Sequence, residues 1–253
     1  MDIIAGRNPV KEALAARAAS DFERILVASS PGAKKSGSNP INMIISEARS
    51  KGIDVEFVYT DELTRMSCDI PHQGVIAIVK EYKYAELSDI LDKAAASGEP
   101  PFIIIANGIE DPHNLGAIIR SAETAGAHGI IIPKRRAAGI NATVAKGAAG
   151  ATEYLSCMRV SNISNIIEIL KDKGLWIAAC DMGGTIYHNQ DLSGPIALVV
   201  GSEGKGVSRL VREKCDFIVS IPLCGKVNSL NASNATAIIS HEVRRQRSNT
   251  ENV

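Results

Sequence analysis

Five short apolar runs, at 102–106, 129–132, 175–180, 196–200 and 217–221, alternate with helical stretches such as "NLGAIIRSAETAG" and "NISNIIEILKDKG". Alternation of this kind predicts an α/β unit in which a parallel sheet is covered by helices on both faces. The 45% of residues that are apolar supply the core such a unit needs. No internal repeat interrupts the pattern.

The chain before these runs has its own α/β character. "NPVKEALAARA" and "INMIISEARSKG" read as helices, and "RILVAS", "VEFVYT" and "QGVIAIV" read as strands. They define a small domain over 1–79. Inside it "SSPGAKKSGSNP", rich in Gly, Ser, Pro and Lys, is expected to be an exposed loop and a place for RNA contact. Residues 80–100 turn acidic and helical before Pro100-Pro101 and are expected to be a linker with a short helix. The larger domain then spans 101–253.

Composition excludes several classes. Aromatic residues make up 4% of the chain, too few for a stacking platform for single-stranded RNA. Net charge is zero, although 101–253 holds 16 basic against 13 acidic residues, an excess of +3. Lys134, Arg135 and Arg136, and Arg244, Arg245 and Arg247, form clusters that can touch phosphate or simply face solvent. Five cysteines without a CxxC or a Cys/His pair at zinc spacing point to no disulfide framework and no metal, and fit reduced thiols in a cytoplasmic protein. The N-terminus lacks an apolar signal core and no window approaches a membrane span, so neither export nor a membrane is expected.

Ligands of open α/β sheets bind beyond the carboxyl ends of strands, where helix N-termini offer free N–H groups. Three polar stretches lie at such ends: "NGIEDPHNLGAIIR" (107–120), "GSEGKGVS" (201–208) and "IPLCGKVNSLNASNATAIISHE" (221–242). In the first, Asn114 is the expected N-cap of a helix from Leu115, with Pro112 stiffening the approach. Leu115, Ile118, Ile119, Ala122 and Ala125 form the buried stripe, and Gly116, Arg120 and Glu123 the opposite face. Gly116 one turn before Arg120 then clears space beside a planar cation suited to phosphate or ribose; the plain alternative is a solvated Arg120–Glu123 pair.

The second stretch is neither a P-loop nor GxGxxG, which disfavours a dinucleotide-dependent oxidoreductase. Its unusual member is Glu203, set among glycines, where the alternative is a tight turn with an exposed acid. In the third, Ser229, Asn231 and Ser233 flank a helix start, where short polar side chains are usually caps. The loop from Gly225 to Asn231 is also able to hold a small cofactor through its backbone. Three such loops at one sheet edge make a binding site.

The segments "DPHNLGAIIRSAETAG", "VVGSEGKGVS" and "IPLCGKVNSLNAS" resemble, in order and spacing, the three motifs of the SpoU (TrmH-type) family of RNA ribose 2'-O-methyltransferases, in the trefoil-knot SPOUT superfamily. "GRNPVKEAL" and "HQGVIAIV" resemble the start and end of the ribosomal-protein-like N-terminal substrate domain of many members, so the likeness covers nearly the whole chain. Among subgroups, the chain looks most similar to bacterial enzymes that methylate a guanosine ribose of 23S ribosomal RNA; members acting on other rRNA or tRNA sites share the motifs. The resemblance implies a homodimer, S-adenosylmethionine as methyl donor, an RNA substrate and a C-terminal knot. Carried over by position, Asn114, Arg120, Glu203, Ser229 and Asn231 are the polar active-site residues. Asn107, Gly201, Ile221 and Leu230 fall where the family holds its cofactor. Leu223 stands where methionine is frequent, and Asn234 replaces a small apolar residue in the last helix.

Methyl transfer to a 2'-hydroxyl needs in-line alignment and loss of a proton. A guanidinium is a poor proton acceptor, so Arg120 is read as clamping the target phosphate and stabilising charge on the 2'-oxygen, oriented by Glu203 and Asn114. Ser229 and Asn231 then shape the cofactor loop. His113, beside Asn114, is an alternative base. The non-enzymatic reading is an RNA-binding assembly factor that keeps the fold.

Overall fold

The structure, a computed structural model, describes residues 1–29, 40–68, 70–204, 206–227 and 229–250. The expected RNA-contact loop therefore lies largely outside the described residues. By contacts the chain divides into two compact units, one of 1–83 with 140–154 and one of 84–139 with 155–253. The expected domains were drawn as continuous spans, and such a reading has no means of assigning 140–154 to the first unit.

The first unit begins with β1 (Asp2–Ala5), α1 (Arg7–Ala16), β2 (Phe22–Ala28) and α2 (Pro40–Ser50). It continues through β3 (Val55–Val58), α3 (Thr60–Met66) and β4 (Val75–Val79). Its sheet has the order β1-β4-β2-β3. β4 runs antiparallel to both neighbours, and β2 parallel to β3. Alternation along the strands splits the core: Ile25, Val27, Val75 and Ala77 pack with Leu14 and Ala48 of the helices, while Leu26, Ile76 and Ile78 pack with Leu63. Short β1 and α3 carry weak periodicity and escape a reading of the sequence.

The second unit opens with α4 (Leu87–Ser97), inside the stretch expected to be a linker. Its helix is held by a capping box between Glu86 and Asp89. Ile90 is fully buried against Gly129, where a Cβ would lie only 2.6 Å from the Ile90 Cδ1. Then come β5 (Phe102–Asn107), α5 (Pro112–Thr124) and β6 (Gly129–Pro133). The short α6 (Ala142–Gly147) belongs to the first unit. Next come β7 (Ser156–Val160), α7 (Ile163–Asp172), β8 (Trp176–Ile186) and β9 (Ile196–Gly201). The short α8 (Arg209–Arg212), β10 (Phe217–Ser220) and α9 (Ala232–Thr250) complete the unit.

Its six strands lie in the order β10-β8-β9-β5-β6-β7, every pair parallel. Phe102, Ile103, Ile104 and Ile105 are all fully buried, the signature of a strand covered on both faces. Ile103, Ile105, Ala197 and Val199 share one core with Ile90 of α4 and Ile167 of α7. Ile104 and Leu198 between them turn to the other face. β7, "SCMRV", has too few apolar residues to have been recognised beforehand.

The chain steps outward from β5 to β6 and β7, then returns to lay β9 on the opposite side of β5. That reversal is the switch point at which ligand sites form in such sheets. Asn107 and Gly201 are register partners across it, so the loops that follow β5 and β9 leave the sheet side by side.

Candidate functional site at the carboxyl edge of the parallel sheet

The helix after β5 starts earlier than its sequence indicates. Asp111 is the N-cap, its Oδ1 accepting the His113 N–H at 3.0 Å, and Pro112 takes the first helical position. The expected Asn114 cap is thereby corrected: two capping signals compete, and Asp-Pro wins because proline without an N–H is preorganised for the first turn. Asn114 sits inside the helix and its amide is released for tertiary contact. Gly116 is likewise buried with Leu115, Ile118, Ile119 and Ala122 instead of opening space beside Arg120, since α5 packs on α9 as well as on the sheet.

Asn114, Glu203 and Asn231, drawn from the three polar stretches, form one closed hydrogen-bonded triangle. Asn114 Nδ2 donates to Glu203 Oε1 at 3.1 Å, and Asn231 Nδ2 donates to Asn114 Oδ1 at 2.9 Å. Asn231 Nδ2 also donates to Glu203 Oε1. Asn231 is a cap too: its Oδ1 accepts the Ser233 N–H at 2.8 Å and the Ser233 hydroxyl at 2.5 Å. One amide thus fixes the start of α9 and two site side chains. Glu203 Oε2 has no protein partner among the described residues.

Behind this triangle lies a cavity of about 230 Å³. Apolar walls from Val200, Val219, Ile221, Leu230 and Ile239 meet Asp181, Glu203 and Ser229 at its rim. Three residues expected at a cofactor, Gly201, Ile221 and Leu230, all line it. Gly201 has no room for a side chain: a Cβ there would lie 2.0 Å from the Gly206 carbonyl carbon. The close approach is sealed by the Gly206 N–H donating to Ser202 O at 2.9 Å. Asn107 lies elsewhere. Its Oδ1 accepts the Ser208 N–H at 3.0 Å, pinning the β9 turn, and the residue lines a neighbouring cleft.

The β8 end is a contributor that sequence reasoning missed. Cys180, Asp181 and Met182 line the cavity, and Asp181 is 3.7 Å from Arg212. The available signal was "AACDMGG", an apolar run ending in an acid and two glycines. Burial pushes the Cys180 thiol well up, so it is a neutral wall and no nucleophile. Among the described residues no group of three or more His, Cys, Asp or Glu is placed to hold a metal, and no helix is long and apolar enough to cross a membrane.

Two expected residues stand apart. Arg120 is exposed, and no hydrogen bond or ion pair engages its guanidinium among the described residues, so within the chain Asn114 and Glu203 orient each other and Asn231 rather than Arg120. His113 is exposed on the first turn of α5, where only its backbone N–H is engaged by Asp111.

Fold and geometry together define an α/β protein with a candidate ligand site at the switch point of a parallel sheet. The pattern of the family described as SpoU rRNA Methylase matches residues 101–241, and that described as RNA 2'-O ribose methyltransferase substrate binding matches 3–85. The chain is 46% identical over 205 residues to YacO of Bacillus subtilis (strain 168), which is named for the TrmH family of tRNA/rRNA methyltransferases; this covers 81% of the chain and 82% of YacO. It is 42% identical to a similarly named Staphylococcus saprophyticus protein, over 97% of the chain and 96% of that protein. The crystal structure of the SpoU methyltransferase AviRb from Streptomyces viridochromogenes, in complex with AdoMet, superposes with a TM-score of 0.78 at 25% identity, covering 98% of the chain and 90% of AviRb. The chain belongs to the SpoU rRNA methylase family, and its class is RNA methyltransferase.

Proposed function

We propose that this protein transfers the methyl group of S-adenosylmethionine to a ribose 2'-hydroxyl of RNA, at a guanosine of 23S ribosomal RNA. The observation that carries the reading is the Asn114–Glu203–Asn231 triangle on the rim of an apolar cavity. The cofactor of AviRb and the tRNA/rRNA methyltransferase names of the relatives support it. The cavity suits the cofactor by chemistry: apolar walls for a purine face, and backbone at Ile221 and Leu230 outside any helix or strand for its edges.

The sulfonium supplies an activated methyl group. Gly201, Ile221 and Leu230 hold the cofactor, with Ser229 and Asp181 at the rim. Glu203, steadied through one oxygen by two amides, accepts a hydrogen bond from the ribose hydroxyl with the other; as the oxygen–methyl bond forms and the sulfur–methyl bond breaks, the hydroxyl proton leaves to the target phosphate or to water. Such alignment lowers barriers by up to roughly 7–11 kcal/mol in well-oriented cases.

Arg120 lies six residues past Asn114 on α5, about 9 Å along the helix axis. In a homodimer it has a role: a guanidinium without a partner among the described residues of its own chain is free to clamp a phosphate at the other copy's ribose and to stabilise charge on the 2'-oxygen. The knot and the cytoplasmic setting belong to the same reading.

The test is radiolabelled methyl transfer by the purified protein to RNA from a strain lacking it, followed by alkali digestion. The expected product is an alkali-resistant labelled dinucleotide from 23S RNA. Label in tRNA or elsewhere in rRNA would move the target and keep the reaction, whereas no label would leave an assembly factor. Arg120→Lys with full turnover at saturating RNA would contradict a bidentate clamp.

A further inference from the structure

Beside the apolar cavity, and sharing Ser202, Glu203 and Gly206 with it, opens a cleft of about 640 Å³ that carries charged side chains of both signs. We propose that this cleft seats the target nucleotide of the RNA strand, with Arg135 and Arg136 on its flanking phosphates and Glu110 on the donor edge of its base. The inference rests on the methyl-transfer reading above.

The volume falls in the range of pockets that enclose small ligands. Because Glu203 lines both spaces, a group in the cleft lies next to the cavity. The two spaces differ in chemistry. Apolar surface predominates in both, but among the described residues only the cleft carries cations, two from the turn after β6, beside the acids Glu110 and Asp111 from the turn after β5.

Arg135 and Arg136 are exposed, and among the described residues nothing engages either guanidinium. Their turn is nevertheless fixed. The Lys134 N–H donates to Val160 O at 2.8 Å, Arg159 Nη2 donates to Lys134 O at 3.2 Å, and the Ala138 N–H donates to Ile109 O at 2.9 Å. Arg159 is itself stacked 4.9 Å over the Tyr84 ring. Arg136 occupies the left-handed region at φ 54°, unfavourable for a residue with a Cβ. A braced turn that presents two unpaired guanidinium forks beside a cleft matches phosphate recognition, in which Arg binds bidentately.

The acids have the complementary task. Asp111 is occupied as the cap of α5, but the Glu110 carboxylate has no partner among the described residues and accepts only. An acceptor-only group selects a base edge rich in donors. Guanine offers N1–H and N2–H₂ side by side, and single-stranded RNA exposes that edge to protein.

Purified full-length protein and its acceptor RNA provide the test. For Arg135→Ala/Arg136→Ala the RNA KM is expected to rise at least about tenfold, with methyl-donor Kd unchanged. The slope of log Kd for RNA against log salt should become shallower by about 1.4–1.8, from roughly 0.7–0.9 per lost phosphate contact. Arg136→Gly, which accepts the left-handed backbone, should show about half the change and guards against a folding artefact. At the mapped position, wild type should prefer guanosine over inosine about tenfold, and Glu110→Gln should lose the preference. An active enzyme whose double variant keeps KM and salt slope overturns the phosphate assignment. A target other than guanosine, or undiminished preference in Glu110→Gln, overturns the base assignment. A wild type that methylates no RNA overturns the underlying reading, and the cleft assignment with it.

Discussion

The two sheets are built from similar apolar segments and do different work. In the four-stranded sheet, β4 runs antiparallel to β1 and β2, so strand ends and their loops divide between opposite edges. In the six-stranded sheet every strand points the same way, and the turns after β5, β8 and β9 and the chain after β10 all emerge at one edge. Parallel order has a cost, since both faces must be covered and every crossover must carry the chain back to the starting edge of the sheet. The return is a place where residues 114, 203 and 231, distant in sequence, meet through hydrogen bonds of about 3 Å.

The largest way to break this contrast is through the buried strands. Ile104→Ala should destabilise the protein by about 2–5 kcal/mol, read by urea unfolding, because Ile104 has no exposed surface in which to relax. Next is the convergence point. Glu203→Gln should lower turnover about 10²-fold, the scale expected when reacting groups are misplaced, with methyl-donor affinity little changed. A turnover within twofold of wild type would remove Glu203 from the reacting geometry. Gly201→Ala forces a Cβ into the Gly206 backbone and should cost about 1–3 kcal/mol while weakening methyl-donor binding by calorimetry.

A smaller effect concerns pH. His128 is buried, its Nδ1 accepts the Phe102 N–H at 3.0 Å, and its Nε2 lies 3.0 Å from the Ser97 hydroxyl. Burial first, then the Arg247 charge, holds its pKa below the ordinary 6.5, with Glu99 opposing in part. The unfolded chain therefore takes up a proton at higher pH than the folded one, and stability should fall as pH drops from about 6.5 toward the folded value. Glu99, held low by its hydrogen bond from Arg244, adds stability that is fully present above its ordinary 4.5 and is lost only below it, outside this window. Denaturant titrations at stepwise pH should show the loss in wild type and a flatter profile over that window in His128→Asn. Smallest of all, Phe57→Ala on the edge strand of the mixed sheet should shift stability by less than about 0.5 kcal/mol, since Phe57 is 53% exposed.

What the sequence disclosed follows from the same contrast. Strands buried on both faces are continuous apolar runs, so β5, β6, β8, β9 and β10 were legible, and so were the polar stretches at their ends. β1, α3, α6 and β7 were not, being four to seven residues of mixed polarity whose placement is decided by tertiary contact. The start of α5 was misjudged because Asp111 and Asn114 carry equal local capping signals. Asn231 was legible as a cap and as a site residue, and it is engaged in both a cap and the triangle. Asp181 was missed because the resemblance rested on three loops and the cavity wall includes a fourth. Arg135 and Arg136 were visible as charge, while the brace that holds their turn depends on Arg159 and Ile109, far away in sequence.

The convergence of the three loops on a ribose is tested most directly by mapping 2'-O-methyl groups across the RNA of cells with and without the gene. One ribose methylation should vanish in its absence, return with the wild-type protein, and stay missing with Glu203→Gln. An unchanged map, or full restoration by Glu203→Gln, would contradict it.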